Sequence, residues 1–354
     1  MPSDVQTYFR KQRRLLQQEL RRFLRSQQPL FVRNRPWGPD AHRRLVSFLS
    51  RGKMVRGGLV LLGYEMAGRR PTTSTMRAGV AAELMHAALL IHDDIMDRDT
   101  ERRNAPSLWV QYRTIGRRQA DPDQFGMSMA INLGDLAFFL AFDALASSTA
   151  DHRAVRELVQ TASRELIGVG CGQMRDVASS GEPHPRSAAA VLALYRQKTA
   201  RYSFSLPLGM GARLAAGSSQ LRTRLDTLGE TLGLMFQVRD DTIGLFGTRS
   251  EIGKPVGSDI RENKKTLFAT FLFQRVRGEQ RRRLERAFGN PRLTPVQIRE
   301  VQHAIVTTGV RRDVERVMET LGRQAMTQIR ALPVAPRWRT FLYDLVSYSR
   351  QRSS

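Results

Sequence analysis

Between His86 and Arg103 the chain reads HAALLIHDDIMDRDTERR, and this stretch narrows what the rest can be. Its second half packs five acids and three arginines into the eleven residues from Asp93 to Arg103. Ahead of it Val80, Leu84, Ala88 and Ile91 recur at helical spacing, which predicts one helix carrying Asp93, Asp94 and Asp97. Positions i and i+4 share a helix face, so the carboxylates of Asp93 and Asp97 stand one turn apart. Like charges at that spacing destabilise a bare helix by roughly 0.2–0.5 kcal/mol per pair. A hard divalent cation is one compensation, because Mg²⁺ takes oxygen ligands and commonly binds one or two carboxylates together with substrate phosphates. Arg102 and Arg103 follow as donors for phosphate oxygens. An acidic, solvated helix end running into a basic loop fits the same residues.

A second acidic pair, Asp240 and Asp241, closes another apolar helical run (Leu228, Leu232, Met235, Phe236) in GLMFQVRDDTIGLFG. Taken together, DDIMD with its following RR, and QVRDD with the following GKPVGSDIRENKKT, resemble the two aspartate-rich regions of the trans-type isoprenyl (polyprenyl) diphosphate synthases. The resemblance runs from Gly52 to the basic C-terminus, with several motifs in order at long spacings.

That resemblance implies an all-α fold, an isoprenoid-synthase-type bundle of ten or more helices around a deep central cavity. It implies one domain over residues 1–354, with 1–35 as a peripheral N-terminal helix and connection, and a homodimer. The implied reaction is Mg²⁺-dependent head-to-tail transfer of a prenyl group from an allylic prenyl diphosphate to isopentenyl diphosphate, with three ions around the bound diphosphate. Metal would be held by Asp93, Asp94, Asp97, Asp240 and Asp241, with Asp241 assisting from behind Asp240. Lys53, Arg56, His86 and Arg103 would bind isopentenyl diphosphate; Arg102, Lys198, Lys254 and Lys264 would bind the allylic diphosphate. Thr199 and Gln237 would face the developing cation. Gly172, Gln173 and Asp176 match a GQxxD pattern, and Gly134 with Asp135 a GD pair.

The chain departs from the family pattern at four places. Gly57 replaces a proline after the Lys53/Arg56 segment; Asn104 replaces a glycine after Arg103; Gly244 stands where the second region's last acid belongs; and EGK becomes Glu262, Asn263, Lys264. Asn tolerates left-handed backbone, so the turn at Asn104 should survive. Lys53 and Arg56, three residues apart at a predicted helix start, should point the same way. Four and five residues before Asp93 the family's short-chain members carry bulky aromatics; here Leu89 and Ala88 imply a product of C20 or longer, with Phe138 and Phe139 as alternative plugs.

Composition constrains the rest. Of 57 basic residues 51 are arginine, and five of the six lysines (Lys53, Lys198, Lys254, Lys264, Lys265) lie in the motif stretches. An ammonium is a compact point charge with rotatable donors and a guanidinium is a planar fork, so sites shaped for lysine resist the exchange. The formal charge of +24 raises the possibility of a nucleic acid or an anionic membrane as partner. No nucleic-acid-binding signature accompanies it, so none is expected, whereas peripheral membrane contact suits a lipid-making enzyme. No membrane span is expected, a cytoplasmic location is, and the single Cys171 excludes an internal disulfide. Asp4, Glu19 and the spacing of Leu16, Leu20, Phe23 and Leu24 suit an ordinary first helix rather than a transit peptide. The alternatives are a class I terpene cyclase, an HD-type phosphohydrolase built on His92-Asp93, a non-catalytic subunit of a heteromeric synthase, and a non-enzymatic basic helical nucleic-acid-binding protein.

Overall fold

In the computed structural model the described residues are 4–149, 151–182, 187–248 and 256–351, so Lys254, His184 and Arg352 lie outside them. The described chain is helical almost throughout. Its first half comprises α1 (Asp4–Arg33), α2 (Gly38–Ser50), α3 (Val55–Met66), α4 (Thr73–Met96), α5 (Leu108–Ile115), α6 (Pro122–Ala146) and α7 (His152–Ser179). Next, α8 (Ala188–Tyr195) passes through a π-helical segment, Arg196–Ser205, into α9 (Leu206–Leu214). Then follow α10 (Ser219–Phe246), α11 (Ser258–Arg261), α12 (Leu267–Arg275), α13 (Gly278–Glu285), α14 (Pro295–Thr307), α15 (Val310–Arg330) and α16 (Pro336–Gln351). The two strands among the described residues, β1 (Glu101–Arg102) and β2 (Ala105–Pro106), form a minute antiparallel hairpin with Arg102 opposite Ala105.

Starts and stops follow local chemistry. Thr72 and Thr75 form a capping box at the head of α4. The Asp121 side chain accepts the Gln124 N–H at 2.9 Å, and Pro122 occupies the first turn of α6. That cap starts α6 inside the stretch Gly116–Gly126, which the sequence alone reads as a loop. In the hairpin turn both Arg103 (φ 54°) and Asn104 (φ 58°) are left-handed, the two-residue geometry that matches strand twist. Asn104 thus does what glycine does in that place.

Two apolar clusters form the core. One gathers α1, α2, α4, α5 and α6; the other gathers α8, α10 and the C-terminal helices. They meet along α3 and α9: Leu59, Leu62 and Leu208 belong to one cluster, Val60, Leu61 and Met210 to the other. The stretch of α3 that is buried on every side, residues 57–63 (GGLVLLG), is accordingly apolar throughout. The two backbones nearly touch, since a Cβ on Gly211 would overlap the Val60 carbonyl oxygen. The small-residue run GMGA therefore does mark close packing, but at Gly211 only; a Cβ on Gly209 meets nothing within 4 Å.

α6 modifies one expectation. It is long and apolar enough, by length and composition, to cross a membrane, with 44% of its most apolar window buried in the bundle. It packs along α4 and α5 and leaves Ile131 and Phe139 exposed.

The two glycines of α9 offer a matched test. Gly211→Ala should destabilise by about 1–3 kcal/mol through overpacking. Gly209→Ala should be neutral or stabilise by up to about 1 kcal/mol, since alanine is the better helix former. Urea unfolding of both variants measures the difference.

Candidate active site

The last turn of α4 concentrates negative charge where the helix dipole is already negative. Asp93 is half-buried, Asp94 is buried, and Asp97 caps the helix, its N–H donating to the Asp93 carbonyl at 2.8 Å. As the spacing predicts, Asp93 and Asp97 lie one turn apart. Each acid draws a cation from a different part of the chain.

Asp94 does not share their face. Its carboxylate receives Arg102 Nε at 2.6 Å, and the other arm of Arg102 reaches Asp99 at 2.9 Å. Desolvation pulls the Arg102 pKa down, but the anions Asp94 and Asp99 outweigh it and hold the guanidinium charged. Asp94 and Arg102, expected as metal ligand and diphosphate ligand, are here paired with one another inside the protein. Burial beside a strong cation is the reason, although Asp94 Oδ2 has no hydrogen-bond partner and burial outweighs Arg102, which leaves the Asp94 carboxyl raised to about 7.

Asp97 and Asp93 are served by lysines. Lys264 Nζ lies 2.6 Å from Asp97 Oδ1 and 3.2 Å from Asp176 Oδ2; Lys198 Nζ lies 2.6 Å from Asp176 Oδ2 and 3.5 Å from Asp93 Oδ1. Gln173 donates to Asp93 Oδ1 at 3.1 Å. Desolvation raises the Asp97 carboxyl and Asp93 raises it further, while Lys264 and Lys198 oppose both. The GQxxD residues on α7 thus acquire separate jobs. Gly172 lets the Lys198 backbone approach (a Cβ would meet its nitrogen at 3.1 Å), Gln173 fixes Asp93, and Asp176 collects both lysines.

On the second acidic helix, Asp241 is buried, accepts the Tyr195 hydroxyl, and receives Gln237 Nε2 at 2.8 Å. Burial drives its carboxyl well up, and Asp259 adds to the effect. This bond uses the amide nitrogen of Gln237 and not its oxygen. Asp240, beside it, is half-buried. The family's missing fifth acid has a spatial counterpart, because a Cβ on Gly244 would meet Asp259 Oδ2 at 3.3 Å. Tyr195 and Lys198, one turn apart at the head of the π-helical segment, touch the second and the first acidic cluster respectively, so this segment lies between them. π-Helical turns are frequent at functional sites. Gly229 and Gly233 of α10 bring it close: a Cβ on Gly233 would meet the Ala200 backbone at 2.5 Å. Thr199, on the same segment, is half-buried.

A basic group lies at the head of α3. Arg56 donates to Tyr202 Oη at 3.0 Å and Ser203 Oγ at 2.7 Å, and its Nε is buried without a partner. Arg103 donates to the Phe48 carbonyl at 3.0 Å and lies 5.1 Å over the Phe48 ring. Lys53 does not share a helical face with Arg56. It is exposed, and Met54 between them is left-handed (φ 57°) before α3 begins at Val55. Two residues here were not legible as site residues. Glu83, a lone acid in the apolar run of α4, is buried and accepts the Gly57 N–H at 2.8 Å, a donor that a proline at 57 would lack. Tyr202 lies with its hydroxyl 3.4 Å from His86 Nδ1.

His92 is not part of this centre. Its ring nitrogen lies 3.1 Å from the Ile131 carbonyl oxygen, and Gly134 is the glycine that leaves room for the imidazole. A phosphohydrolase built on His92 and Asp93 loses its support. Among the described residues no three acidic, His or Cys side chains form a preformed metal cage. Carboxylates in ones and twos, interleaved with lysines, are the donor set expected where Mg²⁺ takes its remaining ligands from phosphate and water.

Acids on two helix ends, lysines between them and an arginine group alongside define a centre for diphosphate and divalent cation in an all-helical bundle. Residues 42–305 match the polyprenyl synthetase family model. The chain is 33% identical over 249 residues, 70% of its length and 71% of the relative's, to the short chain isoprenyl diphosphate synthase of Methanocaldococcus jannaschii. It is 30% identical over 246 residues, 69% of each chain, to the geranylgeranyl diphosphate synthase of Sulfolobus acidocaldarius. The crystal structure of geranylgeranyl pyrophosphate synthase from Corynebacterium glutamicum, complexed with isoprenyl diphosphate and magnesium, superposes with a TM-score of 0.90. The match is at 30% identity and covers 97% of this chain and 99% of that one. The chain belongs to the polyprenyl synthetase family.

The enclosed His86 yields a pH test. Desolvation, then the charges of Arg56, Arg103 and Arg102, lower its pKa well below the usual 6.5, so it is neutral in the folded protein. Below about pH 6.5 the unfolded chain takes up a proton that the folded chain refuses, so this contribution to stability is present above that pH and is lost as pH falls. His86→Gln should flatten the acid side of the stability curve by up to about 1.4 kcal/mol per pH unit. Urea unfolding between pH 6.5 and 5 measures it, and an unchanged slope would show that His86 is not held neutral.

Proposed function

We infer that this chain is a trans-prenyltransferase that condenses isopentenyl diphosphate with an allylic diphosphate. The observation that carries the reading is the placement of Lys198 and Lys264 among Asp93, Asp97 and Asp176, with the second acidic cluster reached through Tyr195 in the same segment. A site of this kind has acids for cations and cations for phosphate within one reach.

Mg²⁺ fits the donor set, and Asp93, Asp97 and Asp240 are the residues that would hold it, three ions in all. When bound, it neutralises diphosphate charge and stabilises the negative charge that develops on the leaving oxygen. Lys198 and Lys264 are placed to swing from carboxylate to diphosphate oxygens. Arg56, Arg103 and Lys53, with neutral His86 as a hydrogen-bonding neighbour, hold isopentenyl diphosphate so that its double bond faces the allylic carbon. As the allylic C–O bond breaks, its electron pair leaves on the diphosphate; the double bond supplies the electrons for the new C–C bond, and the proton lost from the carbon beside the new cation passes to the released diphosphate. Asp176, whose carboxyl Lys198 and Lys264 hold below the usual carboxylate range, stays an anion beside this centre and does not compete for that proton.

A product of C20 or longer suits the residues of α4 that precede Asp93. Ala88 is fully buried and Leu89 half-buried, so no aromatic floor occupies these positions. Phe139 is 69% exposed and points away from the interior, whereas Phe138 stacks near His92 at 6.0 Å between ring centroids. Phe139 is therefore no plug. Incubation with labelled isopentenyl diphosphate, each allylic primer and Mg²⁺, followed by chromatography, tests both activity and length. Asp93→Ala should remove turnover by several orders of magnitude with its circular dichroism intact.

A homodimer is proposed as well, supported by the apolar side chains that α6 (Ile131, Phe139) and α7 (Ile167, Met174) leave exposed. Contact with an anionic membrane is supported by α1. Arg10, Arg14, Arg21 and Arg25 there face solvent along one stripe, none in an ion pair among the described residues. Sedimentation velocity and co-flotation with phosphatidylglycerol vesicles check the two; a monomer would remove the first and protein left unbound the second.

A further inference from the structure

Asp176 is a single carboxylate that two lysines share, and each lysine also has one of the metal-binding acids within reach. Lys264 Nζ stands 2.6 Å from Asp97 and 3.2 Å from Asp176; Lys198 Nζ stands 2.6 Å from Asp176 and 3.5 Å from Asp93. Asp176 is buried (8% exposed) on the face of α7 that Gln173 also uses to hold Asp93. An ammonium and a divalent cation on the same oxygen of Asp97 repel one another strongly at this separation, and burial weakens screening. Cation entry between Asp93 and Asp97 therefore requires that Lys264 give way.

We propose that Asp176 is a positioning residue that draws Lys198 and Lys264 off the first acidic cluster and so sets how tightly that cluster binds a divalent cation. The proposal rests on the reading of Asp93 and Asp97 as metal ligands. Without the Asp176 carboxylate, the nearest remaining acids for Lys264 are Asp97 and, at 3.6 Å, Glu262. The lysine, already 2.6 Å from Asp97, then has no second close anion to move to and competes with the metal. With Asp176 in place, both ammoniums have a buried anion to fall back on, within reach of the diphosphate that arrives with the metal. The GQxxD pattern thereby has a physical reason for its last residue.

The test uses the full chain and Mn²⁺ alone, whose binding is read by electron paramagnetic resonance without any turnover. Asp176→Asn should weaken Mn²⁺ binding on the order of tenfold, the size of effect seen when residues behind metal ligands are changed. Lys264→Gln should tighten it, because the competing ammonium is gone. In the Lys264→Gln background, Asp176→Asn should have less than about a third of its original effect, since coupled residues are not additive. Unchanged binding in Asp176→Asn, or weaker binding in Lys264→Gln, would overturn the proposal; if Asp176→Asn does not fold, the lysine variant decides alone. Wild-type protein that neither binds Mn²⁺ nor extends an allylic diphosphate would instead overturn the functional reading.

Discussion

A helix C-terminus is a poor place for three carboxylates. The dipole of α4 is negative there, and Asp93, Asp94 and Asp97 add their own charge within five residues. Every acid is met by a partner from somewhere else: Arg102 from the hairpin, Lys264 from the loop after α11, Lys198 from the π-helical segment, and Gln173 from α7. The charge demand of one helix end thus ties together four parts of the chain far apart in sequence. Much of that attraction is spent on desolvation, so it specifies arrangement more than it adds stability. What it leaves is a centre in which two ammoniums stand beside acids within one reach.

Close helix approach makes the arrangement possible. Gly172 on α7, and Gly229 and Gly233 on α10, each abut the backbone of the π-helical segment, where any Cβ would collide or crowd. That segment can therefore sit between two helices with Tyr195 turned to one acidic cluster and Lys198 to the other. At the other end of the centre, Glu83 serves as counter-ion beneath Arg56 and Arg103 and accepts the Gly57 amide. The exchange of proline for glycine at 57 is thus matched by an acceptor that uses the freed donor.

Much of this was legible in one dimension, and the boundary is instructive. Apolar periodicity located the long helices, and the spacing of Asp93 and Asp97 placed them one turn apart without any coordinates. The lysine census picked out Lys53, Lys198, Lys254, Lys264 and Lys265 alike; of these Lys198 and Lys264 stand among the acids, Lys53 is exposed, Lys265 donates to the Glu182 carbonyl, and Lys254 lies outside the described residues. Asn104 was readable as a substitute for glycine, and the structure finds it left-handed. The pairing of Asp94 with Arg102 was not legible, because sequence adjacency to Asp93 says nothing about which side of the helix has a buried arginine waiting. Lys53 and Arg56 were misread because three residues span one helix face only where all of them are helical, and Met54 is not. Glu83 left a faint signal, a single acid in GVAAELMHAALL, yet its partner lies on another helix. Phe139 looked like a tunnel plug by proximity alone and turned out to face away.

Local rules act over a few residues, so the sequence by itself determined the helices, the two acidic regions and the kind of chemistry that paired acids with nearby lysines invite. Which carboxylate meets which cation was decided only by tertiary packing. Asp176, 79 residues beyond Asp97 and 88 before Lys264, becomes their common neighbour through contacts between helices that no spacing rule contains. Ion pairing depends on distances of a few ångströms and on exclusion of water, and both exist only once the bundle has closed.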